Sequence, residues 1–146
     1  QLKNSDFEYG MRHWGSEGSA FVEGSDDNGK YVSSTFANNT SAGWNIQLRQ
    51  DGKQFEAGKT YKLIVKANST VDVFLADSNY VLQMAQIDFK NIKFHFTSEV
   101  QTFEFEFTFD EVANNTRVGM LLGGNNIKDS TVKIYQFEIV EVPAEA

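Results

Sequence analysis

Apolar and polar residues alternate with a period of two along much of this chain. Tyr61, Leu63, Val65 and Ala67 interleave with Lys62, Ile64, Lys66 and Asn68, and Phe103, Phe105, Phe107 and Phe109 interleave with Glu104, Glu106 and Thr108. Successive side chains of a strand point to opposite faces, so this pattern predicts strands buried on one side. Trp44, Ile46 and Leu48 alternate in the same way with Asn45, Gln47 and Arg49. Val71, Val73 and Leu75 do so with Asp72, Phe74 and Ala76, and Val118, Met120 and Leu122 with Arg117, Gly119 and Leu121. A last strand is predicted over about Val132–Val142. Its apolar residues fall on both faces, which calls for a bulge or for cover from both sides. Turn chemistry separates these runs at Gly24–Gly29 (GSDDNG), Asp51-Gly52, Ala57-Gly58, Asn68–Thr70 and Gly123–Asn126. No segment carries a helical stripe, and only Val81–Phe89 (VLQMAQIDF) is ambiguous. Many short strands without helices predict an all-β sandwich or barrel.

Length and composition narrow the picture. A chain of 146 residues suits one domain with a sizeable core. It has no cysteine, so disulfides and thiolate metal sites are excluded. An apolar fraction of 40% argues for a globular domain. The formal charge of −7 is a poor match for nucleic-acid phosphates or anionic lipid, and leaves neutral ligands such as glycans open. No apolar run approaches the length of a membrane span. The only proline, Pro143, opens the tail PAEA, so the domain is expected to cover 1–142 and residues 143–146 to begin a linker. Asn-x-Ser/Thr patterns begin at Asn38, Asn39, Asn68 and Asn114, a number that chance supplies in so Asn-rich a chain.

The residues that carry chemistry argue against catalysis. His13 and His95 stand at no metal-ligand spacing, and His95, between Phe94 and Phe96, is expected to point to solvent. There is no nucleophile elbow and no phosphate loop. Glu104 and Glu106 share a strand face at roughly 6–7 Å from strand rise alone, within the range of glycosidase carboxylates. A solvated face opposite four phenylalanines is the simpler reading of that pair. Asp26-Asp27 reads as a turn that can also offer oxygens to calcium. A sugar-binding face needs aromatic planes for the C–H faces of pyranose rings and planar polar groups for their hydroxyls. The faces opposite the predicted core supply both. Asn45, Gln47 and Arg49 form a polar ladder, Phe74 stands where a polar residue is expected, Arg117 lies beside Leu121, and Tyr80 is placed in a loop after the Phe74 strand. Trp44 and Trp14 are read as core.

Three stretches then resemble carbohydrate-binding modules of the family 4, 9 and 22 group, family 4 most of all. Asn4-Ser5-Asp6-Phe7-Glu8 with Gly10 and Trp14 is similar to the opening strand of that group. Gly43-Trp44-Asn45-Ile46-Gln47-Leu48, continuing through Gln50, Gly52, Ala57-Gly58-Lys59-Thr60-Tyr61 and Lys66-Ala67, resembles its next motif. Arg117–Gly124 (RVGMLLGG) before the final strand completes an ordered set over nearly the whole chain.

The resemblance implies a galactose-binding-like jelly roll, a two-sheet antiparallel β-sandwich with a groove on its concave sheet. Carried over by position, the groove would hold Asn45, Gln47, Arg49, Phe74, Ala76, Arg117, Gly119 and Leu121, with Tyr80 as the stacking ring. Glu17 falls where some relatives carry a groove aromatic. A structural calcium would take Glu8, with Asp6 and Lys30 through backbone carbonyls. The usual acidic ligand of the last strand falls at Tyr135, and Glu138 is three residues away. The expected function is non-catalytic. The module would bind single chains of β-1,4- or mixed-linkage glucan, act as a secreted monomer and target a covalently linked glycoside hydrolase. Alternatives are a xylan or β-1,3-glucan ligand, a small glycosidase or lyase, or a spacer without a ligand.

Overall fold

The structure is a computed structural model, and it describes residues 2–41, 45–75, 80–83, 90–91, 94–109, 112–123 and 126–143. Its strands are β1 (Gly15–Glu17), β2 (Val22–Asp26), β3 (Gly29–Thr35), β4 (Gln47–Phe55), β5 (Thr60–Ser69) and β6 (Val73–Leu75). They continue as β7 (Tyr80–Gln83), β8 (Lys90–Asn91), β9 (Phe94–Phe96), β10 (Gln101–Thr108), β11 (Ala113–Leu121) and β12 (Thr131–Glu141). The first sheet has the order β1-β4-β11-β7-β8, the second β10-β5-β12-β3-β2, and β6 pairs with β9. All pairings are antiparallel. This is the all-β sandwich that the alternation predicts.

The core follows that alternation. In β5, Tyr61, Leu63, Val65 and Ala67 are buried, while the interleaved residues are half-buried. Opposite them, Phe107 and Phe109 are buried and Phe103 and Phe105 pack partly buried against the same core. Leu48, Val118 and Met120 face inward from the first sheet. Each fully buried residue of this size contributes about 1.5–3 kcal/mol relative to exposure. The rings meet at tilts and edges: Phe55 lies 5.0 Å from Tyr61 and 5.2 Å from Phe109. Phe94 of β9 makes T-shaped contacts with Phe103 and Phe105 at 5.6 and 5.5 Å, so the β6–β9 pair packs against the β10 side of the second sheet.

Four register shifts adjust this frame among the described residues, and two of them bear on the sequence reading. Asp51-Gly52, expected as a turn, lies inside β4. The pairing with β11 steps from Gln50↔Val118 to Lys53↔Thr116, so β4 carries one extra residue there, and Gly52 takes φ 73°. A glycine with positive φ serves a bulge as well as a turn. In β12 the register slips between Ile134 and Gln136, which turns Ile134 and Tyr135 both into buried positions. The apolar residues on both faces of the last strand thus have the cause that the sequence calls for.

Other boundaries differ by local geometry. The Gly24–Gly29 signal narrows to a two-residue turn at Asp27-Asn28, because Asp26 pairs with Gly29. Asn68 and Ser69 belong to β5, and the bend begins at Thr70. Val71, expected in the core, sits in that bend and is 48% exposed, since β6 starts only at Val73. Tyr80-Val81-Leu82-Gln83 are strand, while Trp44 and residues 84–89 lie outside the described residues.

The N-terminal segment is held by Asn4. Its side-chain Nδ2 donates to the carbonyls of Gly10 and Arg12, both at 2.9 Å, and its Oδ1 accepts from the Tyr9 amide. Its own carbonyl accepts from the Trp14 indole at 2.9 Å, and Trp14 packs on Phe7 and Phe137. Trp14 is therefore core, as expected. Asn4 has φ 52°, a left-handed conformation that Asn tolerates better than most residues. Asn4→Ala should lower stability by about 2–3 kcal/mol and Asn4→Gly by less, because Gly loses the clamp but not the conformation. Equal losses in urea unfolding would show that the clamp alone matters.

Candidate functional site

The outer face of the first sheet carries the polar ladder, and its geometry begins with strand register. Arg49 of β4 lies opposite Gly15 of β1 on one side and Gly119 of β11 on the other. Gln47 lies between Glu17 and Leu121 in the same way. A glycine thus flanks Arg49 on either side, and the Arg49 side chain is 22% exposed. The approach of β11 to β4 is close. A Cβ on Gly119 would lie 2.1 Å from the carbonyl oxygen of Leu48 and 2.8 Å from Arg49 Cα, whereas one on Gly15 would meet nothing nearer than 3.8 Å.

Arg49 is the centre of a charged network. Its Nη1 donates to Gln47 Oε1 at 2.7 Å and lies 3.6 Å from the Glu17 carboxylate. Its Nε lies 3.5 Å from Asp51 Oδ2. Asp51 in turn accepts from Arg117 Nε at 2.7 Å, and Gln47 Nε2 donates to Glu17 at 3.3 Å. Carboxylates and guanidinium groups therefore alternate from Glu17 through Arg49 and Asp51 to Arg117. Such half-exposed pairs add little to stability, about 0–1 kcal/mol each. What they do is fix the planes of two guanidinium groups, each with five N–H donors in a fork.

The structure brings together Gln47, Arg49 and Arg117 of the expected residues, and adds Glu17 and Asp51. Asp51 escapes sequence reading because Asp-Gly signals a turn. The bulge keeps Asp51 within reach of both arginines. Glu17, at the position where some relatives carry a groove aromatic, is an ion-pair partner of Arg49. Gln47 is only 4% exposed, so it braces Arg49 from below. Asn45 is exposed and precedes β4 rather than extending its ladder.

The aromatic candidates fall elsewhere. Phe74 is 60% exposed, but it stands on β6, not on the first sheet. There it stacks on His95 of β9, ring centroids 3.9 Å apart at 13°. That contact comes from register, since Phe74 and His95 are cross-strand partners. The His95 side chain is 43% exposed, and its Nε2 lies 3.8 Å from Asp72. Tyr80 is not in a loop: it opens β7, opposite Asn91, in the same sheet as Arg49. The side chains of Tyr80 and Leu121, and all of Ala76, lie outside the described residues. Glu104 pairs with Lys62 at 3.1 Å on the outer face of the second sheet, away from this network.

The residues expected around calcium are brought close, but they meet each other. Lys30 Nζ lies 3.1 Å from Glu8 Oε1 and 3.2 Å from the Glu8 carbonyl oxygen. Asp6 Oδ1 accepts from the Glu8 amide. Tyr135 donates its hydroxyl to Asp26 at 2.5 Å, and that hydrogen bond holds the Asp26 carboxyl below the usual carboxylate range. Burial, then Asp26 itself, pushes the Tyr135 hydroxyl up. Glu138 accepts from Gln136 on the outer side of β12. Among the described residues, no group of three or more His, Cys, Asp or Glu is arranged to hold a metal ion.

Comparison with known proteins gives one family and many solved structures of similar fold. Residues 1–125 match the family CBM_4_9, described as a carbohydrate binding domain. No curated protein sequence matches the chain. Among solved structures, the N-terminal cellulose-binding domain of Cellulomonas fimi β-1,4-glucanase C is 16% identical, with TM-score 0.69 and 93% of each chain covered. The second N-terminal cellulose-binding domain of the same enzyme is 17% identical, with TM-score 0.70, covering 98% of this chain and 94% of that one. The CBM22-1 xylan-binding domain of Paenibacillus barcinonensis Xyn10C is 7% identical, with TM-score 0.62, covering 92% and 89%. At these identities the likeness is one of fold, and it agrees with the jelly roll expected above.

Gly119→Ala should separate β11 from β4 and destabilise the domain by about 2 kcal/mol or more, lowering Tm by several degrees. Gly15→Ala, at an ordinary contact, should leave Tm within about 1 °C. Calorimetric melts of the two variants measure the difference. A tolerated Gly119→Ala would mean that the strands are free to move apart.

Proposed function

This chain belongs to the carbohydrate binding domain family CBM_4_9, and on that premise we propose that it binds single chains of β-1,4- or mixed-linkage β-glucan. The family makes it a binding module and not an enzyme. The proposed binding surface is the outer face of β4 and β11, continued by Tyr80 on β7. The observation that carries this reading is the network through Glu17, Gln47, Arg49, Asp51 and Arg117. Paired sugar hydroxyls suit planar donors and acceptors whose orientation is already fixed, because less freedom is lost on binding. The two cellulose-binding domains of similar fold support a β-1,4-linked backbone.

In this reading Arg49 and Arg117 donate to hydroxyls, Glu17 and Asp51 orient them and accept from the ligand, and Tyr80 and Leu121 supply apolar contact. Asn45 contributes at the rim. Phe74, stacked on His95, offers a separate aromatic platform beyond the polar row. The module is a secreted monomer tethered to a glycoside hydrolase, and it raises the effective concentration of that enzyme at the polysaccharide. A neutral ligand makes the affinity nearly independent of salt.

Titration calorimetry of the domain with cello-, laminari- and xylo-hexaose and with barley β-glucan tests the reading. Exothermic binding to cellohexaose and barley β-glucan is expected. Binding to the laminari or xylo series alone would replace the ligand, and no heat with any of them would overturn the glucan reading. Arg49→Ala should weaken binding by about tenfold or more while changing stability by less than about 1 kcal/mol. An unchanged Kd would remove Arg49 from the site.

A further inference from the structure

Away from the polar row, the N-terminal segment, the β2–β3 hairpin and β12 meet at a corner of the sandwich. The family resemblance expects a calcium ion here, and the structure puts lysine there instead. We propose that the Lys30 ammonium is the built-in cation of this corner, and that the domain is stable without calcium. Lys30 Nζ engages the Glu8 carboxylate that a calcium ion would need, with Oε1 at 3.1 Å, and also the Glu8 carbonyl at 3.2 Å. These distances are those of an ammonium hydrogen bond, and they are longer than the 2.3–2.6 Å of calcium–oxygen bonds. A cleft of about 330 Å3 lies beside the pair, lined by Glu8, Glu23 and Lys30 together with backbone of Gly10 and Gly24.

Asp6 Oδ1 caps the Glu8 amide, which orients it along the chain. The position of the last-strand carboxylate is taken by Tyr135, a neutral ring that donates to Asp26 at 2.5 Å. Asp26 also takes Lys133 Nζ at 3.3 Å. The Tyr135 ring packs edge-on against Tyr31 at 5.5 Å, and Lys66 Nζ sits 5.5 Å from its centre. Calcium requires six to eight oxygens, most of them charged or carbonyl, and excludes a second cation from its shell. Here the Lys30 ammonium already sits on the Glu8 carboxylate, whereas Tyr135, Asp26 and Lys133 lie with Tyr31 on the other face of the sheet. An ammonium among the donors repels a divalent ion at close range in a way that solvent only partly screens.

Thermal melts with millimolar calcium chloride and with excess EDTA test the proposal. The wild-type protein should melt at the same temperature in both, within about 1 °C. A rise of several degrees in calcium would overturn the proposal. The variant K30A, which removes the ammonium and frees the Glu8 carboxylate, should gain a calcium-dependent rise of several degrees, because an ion that binds only the folded state raises its stability. If that variant folds only when calcium is added, its refolding serves as the same readout. A K30A variant indifferent to calcium would also overturn the proposal, since Lys30 would then be standing in for nothing.

Discussion

The pairing of β4 with β11 is the constraint on which the proposed binding face depends. It places inward-facing Leu48, Val118 and Met120 in the core and, by the same alternation, sends Gln47, Arg49 and Arg117 outward. The pairing tolerates no side chain at Gly119, where backbone meets backbone. One residue of slip would exchange the two faces and bury the arginines. The glycine and the bulge at Asp51-Gly52 together hold the register, so the same local features secure the core and aim the charges.

The charges explain one another better than they explain stability. Two carboxylates and two guanidinium groups alternate along the face, so the row is close to neutral although the chain carries −7. Such a row does not attract ions at a distance. It presents fixed donors and acceptors, which is what a polyhydroxylated neutral chain needs from a surface.

The sheet faces were legible in the sequence because a period of two requires only one strand at a time. β5 and β10 could be read residue by residue from Tyr61 to Phe109. What could not be read is which strands become neighbours. Phe74 has the parity of an outward residue, yet its strand pairs with β9, and it ends on His95 rather than beside Arg49. Asp51 was hidden by a dipeptide that suits both turns and bulges. Glu17 and Lys30 were judged by what relatives carry at those positions, and their partners 32 and 22 residues away along the chain decide their roles here. The residues that misled are those whose meaning depends on a cross-strand partner.

The place of β12 in the second sheet bears on how the domain comes to fold. The last strand of the chain lies at the centre of that sheet, between β5 and β3, with Thr131 opposite Thr35. Neither neighbour reaches its full set of hydrogen bonds until β12 is in place. Loops of this span close slowly, and folding rates fall as contacting residues lie farther apart in sequence. Until β12 pairs, β3 and β5 each present an open edge, so the centre of this sheet forms only through contacts between distant parts of the sequence.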